Sequence, residues 1–172
     1  MGIKNNDYFP VSYSFIDKER MYEFGKQIFV NSLRFLGKEQ AIFTNGESIK
    51  IELNIYSKIS MNDIQMVLRI KDFRNIEKIA TSLSNPFKVN EGQNIRITFD
   101  FYLNELIEDK YNLSIEIIKM SSAGNYYAYD NPGVACPIEI VESDISGRKW
   151  SKQYWGNVRM RNIGICDIVA EQ

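Results

Sequence analysis

The residues of this chain that could do chemistry are few, and one absence narrows the field most. There is no histidine among 172 residues. The commonest general base and the commonest zinc ligand are therefore missing, and a Ser-His-Asp or Cys-His centre is excluded. The two cysteines, Cys136 and Cys166, are too few for a disulfide scaffold and have no histidine with which to share a metal. Cys136 falls in the alternation Val134, Cys136, Ile138, Ile140, where a buried free thiol is expected. Neither a metal nor a cofactor is expected. Three carboxylates, Glu105, Glu108 and Asp109, stand close in sequence. A glycosidase needs two carboxyls roughly 5–10 Å apart across a cleft. Acidic residues in a loop are more commonly solvated, so the chain is not expected to be an enzyme.

What remains is the chemistry of recognition. A sugar offers hydroxyls to planar hydrogen-bonding groups and a C–H face to an aromatic ring. Outward positions on the expected strands supply both kinds: Asn54, Tyr56, Gln65, Arg69, Asp100 and Tyr102, taken together as one sheet face. Arg69 suits a carboxylate or phosphate on a modified sugar. The competing reading is plain solvation, the usual fate of an outward polar residue. A second group is aromatic: Tyr126, Tyr127 and Tyr129, then Trp150, Tyr154 and Trp155. Such residues bury area at low entropic cost in binding sites, and they serve core or dimer packing equally well.

Strands must position these groups. Four segments alternate apolar and polar residues: Ile49-Ile51-Leu53-Ile55, Ile64-Met66-Leu68-Ile70, Ile95-Ile97-Phe99-Phe101 and Leu113-Ile115-Ile117. A period of two buries one face of a strand and exposes the other. Strands are expected near 27–36, 48–56, 62–71, 76–81, 94–102, 111–119 and 134–142. Turn signals separate them, such as Asn45-Gly46, Asp72-Phe73-Arg74-Asn75, Asn90-Glu91-Gly92 and Asp130-Asn131-Pro132-Gly133. Short strands at this spacing predict an all-β, immunoglobulin-like antiparallel β-sandwich. Tyr111, just before an inward strand position, reads as a tyrosine corner whose hydroxyl bonds back to the upstream backbone.

Residues 1–23 sustain no strand period and read as an N-terminal arm that docks on the domain or on a partner; residues 24–172 form the sandwich. Net charge is −1, from 21 basic and 22 acidic residues, which argues against an electrostatic nucleic-acid binder. No apolar run approaches the roughly 20 residues that span a bilayer. The first residues are polar rather than a signal sequence, so the cytoplasm is the expected compartment.

The order of these signals resembles the C-terminal carbohydrate-binding domain of the nucleotide-binding subunit of O-antigen polysaccharide ABC exporters, the Wzt C-terminal family. The matching pieces are Phe43-x-x-Gly46-Glu47-x-Ile49-x-Ile51, then Leu68-x-Ile70-x-Asp72 with its turn. Leu103-x-x-Leu106 before Tyr111-x-Leu113-x-Ile115 follows, then Tyr129-Asp130 leading to Ala135-x-x-Ile138-x-Ile140, and Gly156-x-Val158. The resemblance runs over residues 24–160. Asn75 and Lys110 stand where the family tends to have Gly, and the phosphate loop G-x-x-x-x-G-K-S/T of the ATPase half is absent.

The resemblance implies an often dimeric sandwich that catalyses nothing and binds the modified non-reducing end of an undecaprenyl-linked polysaccharide. It implies cytoplasmic residence at the inner face of the membrane, through the ATPase domain and transmembrane subunit of an exporter, with chain completion coupled to export. Residues 1–23 would then hold the end of an interdomain connection. The alternative is a sandwich that uses its aromatic clusters for protein interaction or dimerisation and binds no glycan.

Overall fold

A computed structural model of the chain describes residues 9–16, 20, 26–74, 76, 78–103, 106–141, 156 and 158. Among these the regular elements are all strands. In chain order they are β1 (Ser12–Ser14), β2 (Ile28–Phe35), β3 (Ile42–Thr44), β4 (Ser48–Ser57), β5 (Met61–Asp72), β6 (Lys78–Leu83), β7 (Phe87–Val89), β8 (Asn94–Tyr102), β9 (Asp109–Met120), β10 (Tyr126–Asp130) and β11 (Cys136–Val141). One sheet has the order β1-β2-β4-β8. The other has the order β3-β11-β9-β5-β6, with β7 also on β5 and β10 also on β9. The pairings are antiparallel except β3 with β11, which is parallel. The immunoglobulin-like sandwich expected from the alternation is the fold observed.

Three of the four alternating rows form the middle of the core. Ile49, Ile51, Leu53 and Ile55 on β4 face Ile64, Met66, Leu68 and Ile70 on β5 and Leu113, Ile115 and Ile117 on β9, all buried. Burying one such side chain stabilises the fold by roughly 1.5–3 kcal/mol. The fourth row, Ile95, Ile97, Phe99 and Phe101 on β8, is only half-buried, because β8 is the edge of its sheet. Tyr111 is buried and its hydroxyl donates to the Ile107 carbonyl at 3.1 Å, the expected corner. Burial and the Asp109 charge raise its pKa, so the hydroxyl stays protonated as a donor. Cys136 is a buried free thiol whose pKa burial pushes up to about 12.

Residues 9–16 pack on the sandwich. Phe9 and Phe15 lie in the core, and β1 extends the first sheet through Ser12–Arg34 and Ser14–Ser32 pairing. Tyr13 meets Phe35 edge-on at 6.3 Å, and Phe35 meets Phe43 at 5.6 Å. No strand period announces β1, because three residues are too few to show one. Tertiary pairing fixes it instead. The same holds for β3 and β7, three residues each.

Candidate functional site

The six outward polar residues expected on one face are divided between two. Asn54, Tyr56, Asp100 and Tyr102 sit on the outer face of the first sheet; Gln65 and Arg69 sit on β5, in the second. The four on the first sheet do not converge either. Asn54 lies opposite Arg96, while Asp100 lies opposite Lys50, four positions away along β4 and roughly 13 Å off at a strand's rise per residue. Asn54 Nδ2 donates to Ser32 Oγ at 2.8 Å, and Arg96 Nε is 3.7 Å from Glu52 Oε2. That face is a set of local pairs on an open surface. Alternation says which residues point outward but not which sheet a strand joins, and this is why the expected six-residue face does not form.

The second sheet has a groove, and its cause is visible in the register. β10 and β11 lie end to end along one edge of β9. Asp130 pairs with Ile117 and Cys136 with Leu113. Residues 131–135 must therefore pass alongside residues 114–116, five positions against three, so the chain leaves the ladder there. Asn131 Oδ1 accepts the Gly133 N–H at 2.9 Å, and Gly133 takes a φ of 66°, which a side chain would strain. The bowed loop walls a groove of about 490 Å³ over the outer face, lined by Arg69, Ser114, Glu116, Tyr126, Asn131 and Val134, with Lys71 and Lys78 at its side.

At the groove floor Arg69 Nη1 donates to Glu116 Oε2. The pair is nearly buried, with side-chain exposures of 15% and 7%. Two neighbours on the same face, Val67 and Ile118, are also buried. Glu116, Ser114 and Asn131 line the groove and bring a carboxylate, a hydroxyl and an amide to it. Tyr126 at the rim is 52% exposed. A nearly buried guanidinium–carboxylate pair, an amide and a hydroxyl, beside an open phenol ring, are a hydrogen-bonding set for a polyol with a flat apolar face.

A buried carboxylate anchors the groove wall. Asp130 is 2% exposed; its Oδ2 accepts the Val30 N–H at 2.6 Å, and its Oδ1 lies 3.3 Å from Arg20 Nε. Arg20 also donates to the Val30 carbonyl at 3.1 Å. The loop is thus tied across the sandwich to β2 and to the N-terminal stretch. Burial pushes the Asp130 carboxyl up to about 6, against the lowering by the Val30 N–H and the Arg20 guanidinium.

The remaining sequence candidates separate. Gln65 donates from Nε2 to the Ser84 carbonyl at 2.8 Å and is occupied in tying down that loop. Tyr127 is exposed beside Tyr126 but pairs with Lys119, on the opposite side of β10 from the groove. Tyr129 packs partly buried against the core. Of the sequence candidates, Arg69 and Tyr126 lie in the groove. Glu105, Trp150, Tyr154, Trp155 and Cys166 lie outside the described residues. Glu116 and Ser114 are the residues that sequence reasoning missed. Both were findable, since they alternate outward between Leu113, Ile115 and Ile117, and a glutamate in so apolar a strand needs a partner. Among the described residues no cluster of three or more Cys, Asp or Glu is placed to hold a metal ion.

Fold and groove together define an immunoglobulin-like β-sandwich with a recessed polar site on one outer face. Among solved structures it is similar to the C-terminal domain of Wzt, at a TM-score of 0.65 and 12% identity, covering 88% of this chain and 89% of that one. The expected resemblance is therefore met at the level of fold. Smaller likenesses, to the Pseudomonas fluorescens alkylpurine DNA glycosylase AlkC (TM-score 0.44, 10% identity, 66% of this chain and 30% of that one) and to the Bacillus subtilis sporulation control protein Spo0M (0.37, 14%, 66% and 49%), carry no argument. No family model and no curated protein matches the sequence.

Proposed function

We propose that this protein is a non-catalytic carbohydrate-binding module that takes the end of a bacterial surface polysaccharide in the groove between β5, β9 and the 131–135 loop. The carrying observation is the buried Arg69–Glu116 pair on the groove floor. A buried ion pair is a poor way to stabilise a sheet, since apolar residues of similar volume commonly do as well or better. Its value here is a fixed, desolvated set of donors and acceptors. The likeness of fold to the Wzt C-terminal domain supports a place beside a polysaccharide exporter, with an ATPase domain and a transmembrane subunit as partners. In that setting the domain reads the modified non-reducing end of a lipid-linked O-antigen at the inner face of the cytoplasmic membrane and couples it to export. No helix among the described residues is long and apolar enough to cross a membrane.

The test is ligand-observed NMR with the surface polysaccharide of the source strain, with and without its terminal modification. Binding of the modified form alone, lost in Tyr126→Ala, is expected. A folded protein that binds neither form would refute the proposal.

A second reading, a protein-interaction or homodimer module, is favoured by the β8 edge. Its core-side row is half-exposed, and an apolar cleft of about 350 Å³ opens between the sheets, lined in part by Ile70, Phe101, Leu103 and Leu106. Open edge strands are commonly covered. Sedimentation distinguishes the two readings: a tight dimer without glycan affinity supports the second.

A further inference from the structure

The β5–β6 register places two like charges face to face. Arg69 pairs with Thr81 and Ile70 with Ala80, but Lys71 pairs with Lys78, so one residue of β6 is skipped. The extra residue is Ile79, which packs against the core. This β-bulge turns the hydrophobic residue inward and aims Lys78 to the outer face beside Lys71. Like charges directly opposite across two strands repel and destabilise a sheet. Neither ammonium has an ion pair among the described residues. Asp72, next in the chain, is occupied elsewhere: its Oδ1 accepts the Ile76 N–H at 2.7 Å and its Oδ2 pairs with Arg74. Asn112, across from Lys71 on β9, donates its amide to the Phe73 carbonyl at 2.8 Å and offers Lys71 no carboxylate.

Both lysines line the groove that holds Arg69 and Glu116. The groove thus has three cations and one carboxylate among its described residues. Arg69 neutralises Glu116, which leaves the lysine pair in excess at one end. We propose that Lys71 and Lys78 form an anion subsite, which holds a carboxylate or phosphate substituent of a sugar whose ring lies over the Arg69–Glu116 floor. The inference rests on the glycan reading of the groove and assigns its ligand class: an acidic or phosphorylated sugar rather than a neutral one. An ammonium binds such a group as a point charge, and a facing pair binds it better than either lysine alone. A bound anion also relieves the repulsion the bulge creates.

The experiment is a protein-observed NMR titration of the full chain with glucose, galactose and mannose, with their uronic acids and 6-phosphates, and with inorganic phosphate. The uronic acids or the 6-phosphates are expected to bind about tenfold more tightly than the neutral sugars, as a charge-assisted contact implies. The preference should shrink as salt is raised. The variant Lys71→Gln/Lys78→Gln, which changes two side chains that are half-buried and exposed, should lose the preference for the charged sugars. Equal affinity for charged and neutral sugars, or a preference that survives in the variant, overturns the subsite and leaves the groove as a glycan site. Inorganic phosphate binding as tightly as the 6-phosphates overturns the placement of the sugar ring. Groove amides that respond to none of these probes overturn the glycan reading and the subsite with it.

Discussion

The two outer faces of this sandwich are built from similar residues and come out differently. The face of the first sheet carries Asn54, Tyr56, Glu52, Arg96, Asp100 and Tyr102 over β4 and β8, which pair in unbroken register from Ser48–Tyr102 to Tyr56–Asn94. That ladder is uninterrupted, the sheet's register shift lying instead between β2 and β4 at Val30–Ser32, so the polar groups of β4 and β8 stay in water and pair locally. In the second sheet, two of the interruptions border the groove. The 131–135 loop departs from β9 and the bulge at Ile79 disturbs β6. The groove they border holds Arg69 and Glu116 nearly buried. Polar side chains become a site where the ladder breaks, not where the composition is richest.

The largest expected effect separates the two ion pairs. Glu116→Ala should destabilise the protein by about 3 kcal/mol, because it leaves the Arg69 guanidinium largely buried and unpaired. Glu52→Ala, on the other face, should cost less than about 1 kcal/mol, since Arg96 is 71% exposed. Urea unfolding measures both, and equal costs would erase the distinction. Replacing both groove partners, Arg69→Met with Glu116→Leu, should recover most of the stability while abolishing glycan binding.

Next comes the aromatic contrast. Tyr126→Ala at the groove rim should weaken glycan binding about tenfold, the scale of a lost aromatic contact. Tyr102→Ala on the first sheet, though Tyr102 is 63% exposed, should leave affinity unchanged. Isothermal titration compares them directly, and a loss in Tyr102→Ala would place the ligand on the wrong face.

A third prediction concerns the wall anchor, a buried titrating group with no counterpart on the first face. The Asp130 carboxyl is raised to about 6 from an ordinary 3.8. A raised folded-state pKa means that the protonated form favours folding. Its contribution is fully present below about pH 4 and is lost as pH rises through 6. The stability of the wild type relative to Asp130→Asn should therefore fall between pH 4 and pH 7. A difference that is flat or rises over that window would show the carboxyl to be ionised throughout.

The smallest effect is expected at Asn54. Removing its bond to Ser32 Oγ in Asn54→Ala should cost less than about 1 kcal/mol and leave binding unaltered.

Much of the fold was legible because burial on one face writes a period of two. The rows on β4, β5 and β9 announce themselves, and so does the tyrosine corner, whose hydroxyl must find a backbone acceptor. The Asn45-Gly46 turn was legible for a related reason: Gly46 takes a φ of 85°. The site was legible in two residues, Arg69 and Tyr126. The rest depends on which strands share a sheet and where a ladder breaks, and both are settled by long-range pairing. Tyr129 shows the limit well. It sits at the irregular end of the β9–β10 register, where alternation no longer predicts its face, and it turns inward.

The most direct measurement of the central claim is a protein-observed NMR titration with the surface polysaccharide of the source strain. Backbone amides of Ser114, Glu116, Tyr126 and Gly133 should shift in a saturable way while those of Asn54, Tyr56 and Tyr102 stay still. Shifts confined to Asn54, Tyr56 and Tyr102, or no shift on either face of a folded protein, would contradict the account.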